Sequence, residues 1–256
     1  MGIMSDSGLV DVLRGDAVGG WLQLPGSATA EVIGSVGFDV VCVDTQHGLI
    51  GDDALLPMLQ ALAATGTPSM VRVPWNTPTP ITAALDRGAA GVVVPMVNSA
   101  EEAAAAAAAC RWPPNGTRSY GPTRHGFMSS PPGDPVCAVM VETVAAVDAV
   151  ADIVAVDGVD AVFVGPSDLA LSMGRPTSAQ DGDDEYDALL ATVLGACKAR
   201  EMPVGIFCAS AGHVQRFREL GFTYFFVRGD GALLAEMAAA ELAASRPGGA
   251  EPLRRG

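Results

Sequence analysis

Val40-Val41-Cys42-Val43-Asp44-Thr45-Gln46-His47-Gly48 decides the fold. Four apolar, mostly β-branched residues run straight into polar side chains and a glycine. A short unbroken apolar run of this kind is how a strand buried on both faces of a parallel sheet reads. The pattern recurs at Val18–Leu24, Ser69–Val73, Gly91–Pro95, Val136–Val141, Ala161–Val164, Val204–Phe207 and Tyr224–Val227. Helical windows rich in alanine are predicted between these runs, at Ala28–Val36, Asp53–Ala64, Pro78–Arg87, Ala100–Cys110, Thr143–Val156, Tyr186–Arg200, Ala211–Leu220 and Ala232–Ala243. Strands alternating with helices predict βαβ units. Eight such units in 256 residues predict an α/β fold, a single (β/α)8 barrel over residues 1–256 with a frayed tail over 245–256. A doubly wound open sheet is the alternative; it would carry a glycine-rich phosphate turn after its first strand, and Pro25-Gly26-Ser27 is not one.

Punctuation agrees with these boundaries. Gly37, Gly66, Gly88 and Gly221 fall between a helical window and the next strand, where a left-handed residue ends a helix. Ser27 and Ser99 stand where N-caps belong. Two connections are long, Arg111–Pro135 and Gly174–Glu185, and long loops in a compact domain tend to be functional or disordered.

Composition bounds the function. Hydrophobic residues make up 49% and aromatic residues 5%, so the core is expected to be built from Ala, Val, Leu and Ile. With 15 Lys+Arg against 29 Asp+Glu the net charge is −14, which disfavours nucleic acid and anionic membrane as partners. The five cysteines form no C-x-x-C pair and are odd in number, arguing for a reducing compartment rather than a disulfide framework or a structural zinc site. No secretory pattern and no apolar run of about 20 residues is present, so a soluble cytoplasmic protein is expected.

Active sites of parallel barrels are built at the C-terminal ends of the strands. There this sequence places Asp44 and His47 after strand two, Arg72 at the end of strand three, Glu142 after strand five and Asp168 after strand six. Glu142 and Asp168 on adjacent strands can converge on one hard cation, leaving about four positions of an octahedral site for a chelating 2-oxo acid and water. The competing reading is that each carboxylate caps the helix that follows it. Arg72 can add charge at a developing oxyanion, or form a strand-end ion pair. A carboxylate at Asp44 that bonds one His47 ring nitrogen would fix the tautomer and raise basicity at the other. The N–H groups around Gly165, Pro166, Ser167 and Asp168, opening a helix, can hold a substrate carboxylate. His125 and His213 are read as structural.

Seven segments in order, Gly37-Phe38-Asp39 to Gly48, Arg72-Val73-Pro74, Leu85-Asp86-Arg87-Gly88-Ala89, Pro95-Met96-Val97, Trp112 to Arg118, Glu142-Thr143 and Gly165-Pro166-Ser167-Asp168-Leu169, resemble the class II, metal-dependent pyruvate aldolases of 4-hydroxy-2-oxoheptanedioate and 2-keto-3-deoxy-sugar acids. The resemblance implies reversible aldol cleavage of a 4-hydroxy-2-oxo acid to pyruvate and an aldehyde through a metal-bound enolate. It implies Mg²⁺, Mn²⁺ or Co²⁺ on Glu142 and Asp168, Arg72 on the pyruvate keto oxygen, and His47 with Asp44 as the acid–base relay. It also implies a homo-oligomer, a hexamer arranged as a trimer of dimers with the last helix exchanged between subunits. The chain departs from the family's pattern at Gln46, where Glu is frequent, at Ser119, and at Arg228-Gly229-Asp230 after strand eight. These departures bear on the aldehyde and on proton transfer. Arg228 either contacts an acidic acceptor or pairs with a neighbouring carboxylate.

Two other activities compete. One is a decarboxylase or a citrate-lyase-β-like lyase acting on a related oxo acid or thioester; the scarcity of Lys and Arg disfavours a nucleotide-bearing thioester. The other is a metal-free phosphate-binding barrel, which Asp230 after strand eight disfavours by repulsion. No lysine stands at any strand end, which argues against Schiff-base chemistry.

Overall fold

The computed structural model describes residues 7–121, 124–127 and 134–246. Its strands are β1 (Ala17–Leu22), β2 (Val40–Asp44), β3 (Ser69–Arg72), β4 (Gly91–Val94), β5 (Val136–Val141), β6 (Ala161–Val164), β7 (Val204–Cys208) and β8 (Tyr224–Gly229). All pair in parallel with their sequence neighbours, and β8 returns to β1, so the sheet closes into an eight-stranded barrel. The helices are α1 (Ser7–Arg14), α2 (Ser27–Gly34), α3 (Asp52–Thr65), α4 (Pro78–Asp86), α5 (Ala100–Cys110), α6 (Arg124–Phe127), α7 (Val144–Asp148), α8 (Val150–Ile153), α9 (Pro166–Ser172), α10 (Asp184–Ala199), α11 (Ala211–Leu220) and α12 (Asp230–Ala244). The expected barrel is therefore the observed one.

Local chemistry sets the helix ends. Ser99, Thr143, Asp183 and Ser210 each accept a backbone N–H in the first turn of the helix they precede. Gly66 and Gly221 end α3 and α11 in the left-handed conformation. Several expectations are corrected. Ser27 is the first residue of α2 and caps nothing, Gly26 standing at the cap position. The single helix expected over Thr143–Val156 breaks at Ala149 into α7 and α8. The connection after β6 opens with α9 and then a 3₁₀ turn, Thr177–Asp181. Residues 247–256 of the expected tail lie outside the described residues.

Two apolar layers hold the barrel. Outward-facing strand residues such as Val41, Val43, Val139, Val162 and Ile206 pack under the helices with Leu, Ala and Val side chains, as the composition suggests. The interior differs. Four aromatic rings meet there: Trp21 stacks on Phe163 at 5.9 Å and meets Phe226 edge-on at 5.3 Å, with Tyr224 beside Phe163 at 6.0 Å. Rings this large fit because Gly19 and Gly205 lack the Cβ atoms that would overlap Phe226 and Tyr224. Below them α1, not anticipated from the sequence, brings Leu9 and Leu13 into the same interior cluster.

This packing predicts opposite outcomes for two glycines. Gly205→Ala drives a methyl into the buried Tyr224 ring and should cost about 1–3 kcal/mol or more of unfolding free energy in urea titrations. Gly195→Ala, inside α10 with open space around it, should stabilise by up to about 1 kcal/mol.

Candidate active site

Side-chain direction alternates along a strand, and this brings the functional residues to the barrel mouth. Cys42 points inward, so Asp44 does too; Met70 carries Arg72 with it, Met140 carries Glu142, and Trp21 carries Gln23. Asp44, Arg72 and Glu142 are all buried.

Asp44 is fully enclosed and gathers six donors. Its Oδ1 accepts Arg72 Nε at 2.9 Å and the backbone N–H groups of Gln46 and His47 at 3.1 Å each. Its Oδ2 accepts Arg72 Nη2 at 2.6 Å, Trp21 Nε1 at 3.3 Å and Gln23 Nε2 at 3.4 Å. Burial opposes ionisation, but the Arg72 hydrogen bonds and charge, with the two backbone donors, hold the carboxyl below its usual range. Asp44 is thus a fixed anion that grips the Arg72 fork and folds the turn carrying His47. Arg72 lies over the Trp21 ring at 4.9 Å, and its Nη1 donates to no acceptor among the described residues.

Glu142 is only 2% exposed, and it caps no helix; Thr143 does that for α7. Its Oε1 accepts the Met96 N–H at 2.6 Å, and Oε2 accepts none from the described residues. Met96 has φ +57°, a left-handed conformation that a non-glycine residue adopts at a cost, and it aims its N–H at the carboxylate. Asn98 supports this turn by donating to Met96 O and accepting from Thr143 Oγ1. Gly165 leaves the other side bare: a Cβ there would lie 2.5 Å from Glu142 Oε2. Burial, with the nearby Asp168 charge adding to it, pushes the Glu142 carboxyl up to about 7, against relief from the Met96 N–H and Arg72. Asp168 is exposed in the first turn of α9, and its charge acts on Glu142 from there. Gly165 and Pro166 are buried beside it and Ser167 is exposed.

Two expected contacts differ. Asp44 meets His47 through the backbone N–H, and the exposed His47 ring bonds nothing among the described residues; Arg72 has taken the carboxylate. Arg228 donates to Ala209 O at 2.7 Å and pairs with Glu236, so it is held by a neighbouring carboxylate. His213 in α11 bonds Asp181 at 2.6 Å, while nothing is described of the His125 side chain. Trp21, Gln23 and Asn98 went unnoticed as site residues in the sequence, and Met96 was noticed only as part of the Pro95-Met96-Val97 segment. Period-two alternation from Trp21 would have found Gln23.

Because Glu142 ionises with difficulty in the fold, its contribution to stability is full below the ordinary value of 4.5 and is lost as pH rises through about 7. In chelator, Glu142→Gln should therefore gain stability over the unmodified protein by roughly 2–4 kcal/mol between pH 4.5 and 8 in urea unfolding. Parallel stability curves would show that Glu142 ionises freely where it stands.

Comparison with known proteins places the chain. The chain is 36% identical over 236 residues to a hydroxypyruvate/pyruvate aldolase of Rhizorhabdus wittichii, covering 90% of this chain and 94% of that one. It is 35% identical over 232 residues to a 4-hydroxy-2-oxo-heptane-1,7-dioate aldolase of Salmonella dublin, covering 87% and 88%. The crystal structure of an HpcH/HpaI aldolase/citrate lyase family protein from Burkholderia cenocepacia superposes with a TM-score of 0.86 at 30% identity, over 95% of this chain and all of that one. Residues 18–236 match the family model described as HpcH/HpaI aldolase/citrate lyase. With the closed barrel and the acidic and cationic groups at its mouth, the chain belongs to the HpcH/HpaI aldolase/citrate lyase family of enzymes.

Proposed function

We propose that this enzyme reversibly cleaves a 4-hydroxy-2-oxo acid to pyruvate and an aldehyde, with Glu142 and Asp168 holding a divalent cation, Mg²⁺, Mn²⁺ or Co²⁺. The carrying observation is Glu142: a buried carboxylate with one hydrogen bond, on which the charges of Asp168 and Arg72 both act. Such a carboxylate pair suits a hard cation, which relieves the mutual repulsion and fills the coordination that the N–H groups leave open. When bound, the ion polarises the substrate ketone and stabilises enolate charge.

The chain's own groups do the rest. Arg72, oriented by Asp44, offers its Nη1 edge to the oxygen of the 2-oxo acid. The first-turn N–H groups of α9, at Ser167 and Asp168, have no partner within the helix and receive the substrate carboxylate, with Gly165 and Pro166 shaping its seat. His47, exposed at the mouth, accepts the 4-hydroxyl proton as the C3–C4 bond breaks and returns it in the synthetic direction. Asp44 positions that machinery rather than relaying a proton. Gln46 takes no proton. The aldolase names of the relatives favour aldol cleavage over the decarboxylase or citrate-lyase alternative.

The same reading extends to assembly and compartment. We propose one barrel domain over 1–256 and a homo-oligomer, a hexamer in which α12 packs on a neighbour. Supporting this, α12 buries only Asp230 while Leu234, Met237 and Leu242 are exposed. Five free, buried cysteines support a cytoplasmic location. No described helix is long and apolar enough to cross a membrane.

Exchange of the pyruvate methyl protons in D₂O, followed by NMR, reports enolate formation without an aldehyde. Exchange should require Mg²⁺ or Mn²⁺ and stop in excess chelator. Glu142→Ala and Asp168→Ala should each slow it by roughly a hundredfold or more. Undiminished exchange in chelator, or in either variant, would remove the cation site from the mechanism.

A further inference from the structure

We propose that Gln23 selects the aldehyde, its amide reading a hydroxyl group on a neutral acceptor; this rests on the aldolase reading above. Gln23 stands at the end of β1, one strand from β2 and one from β8, whereas the groups assigned to the 2-oxo acid stand on β3, β5 and β6. The acceptor is left with the side of the mouth that Gln23 and His47 share.

The backbone of Gln23 is fixed from two directions. Its N–H donates to the buried Asp230 carboxylate at 2.8 Å, and its carbonyl accepts the Leu49 N–H at 2.8 Å, just beyond His47. Its side chain is fixed as well. Asp44 is ionised and can only accept, so the NH₂ end of the amide faces Asp44 and the oxygen faces away. That oxygen sits over Gly229, where any Cβ would overlap it, so the bare glycine that ends β8 is what admits the amide. Gln23 is half-buried, and Oε1 accepts nothing from the described residues.

The mouth therefore presents a carbonyl oxygen and a second amide N–H side by side, the complement of one hydroxyl group, which donates and accepts at once. A carboxylate tail finds no such welcome: Oε1 would repel it, and Arg228, the cation on β8, is held by Glu236 and Ala209 O. The geometry points to hydroxyaldehydes such as glycolaldehyde rather than to acidic semialdehydes.

The test measures kcat/KM for aldol addition of pyruvate to glycolaldehyde, propanal and succinic semialdehyde, in the metal-loaded enzyme. Pyruvate methyl exchange is followed in each protein, so that any change in the donor half-reaction is divided out. The unmodified enzyme should prefer glycolaldehyde to both others. Gln23→Leu should lower the glycolaldehyde-to-propanal ratio by about five- to tenfold, the worth of a part-exposed neutral hydrogen bond. Gly229→Ala, which displaces the amide without removing it, should lower that ratio in the same direction. A ratio unchanged in both variants, or a preference for succinic semialdehyde in the unmodified enzyme, would overturn the assignment. Absence of methyl exchange in the unmodified enzyme would instead sink the aldolase reading, and this proposal with it.

Discussion

Keeping a carboxylate at Glu142 almost without water is the constraint on which the rest of the mouth depends. Removing an ionised group from solvent is costly unless partners replace the lost hydration. Here one partner is the Met96 N–H, delivered by a residue with φ +57° and braced by Asn98 and Thr143. The opposite side is cleared by Gly165, which lets the next strand approach closely. Neither device satisfies the second oxygen. On the reading proposed above, this under-satisfied anion, with the charge of Asp168 acting on it, is where the cation would bind.

Asp44 shows the contrasting solution to the same problem. It is buried more completely, yet it stays ionised because Arg72 and four further donors surround it. Two carboxylates on nearby strands thus have their affinities for protons pushed in opposite directions, and their roles follow. The satisfied one orients Arg72 and the His47 turn; the unsatisfied one waits for a ligand. With the proposed substrate placement, the mouth would divide into a 2-oxo acid side at β3, β5 and β6 and an aldehyde side at β1, β2 and β8.

Much of this was legible in the residues. Short apolar runs such as Val136–Val141 read as strands buried on both faces, and their eightfold alternation with helical windows pointed to the barrel. The places of Glu142 and Arg72 at the barrel mouth were legible because Glu142 follows such a run directly and Arg72 ends one, whereas Asp168 stands four residues beyond the end of β6. The Asp44–His47 ring contact was misjudged because a spacing of three residues says nothing about ring direction, and the cation on the adjacent strand outcompetes it. Gln23 was hidden by the chemistry of its side chain, since an amide does not announce catalysis, although its place two residues after Trp21 marked it as inward. The strained turn at Met96 and the break at Ala149 leave no local signature of composition. The aromatic interior was hidden for another reason: a low overall count does not reveal that four of the rings meet inside the barrel.

The most direct measurement is a crystal structure grown with Mn²⁺ and pyruvate, with data collected to reveal manganese by anomalous scattering. The account predicts a single strong peak at the barrel mouth bonded to Glu142 and Asp168, at about 2.0–2.3 Å from a carboxylate oxygen of each, with pyruvate completing the coordination and Arg72 on its oxygen. A peak on Asp44 or His47 instead, or no ordered manganese at saturating concentration, would contradict it.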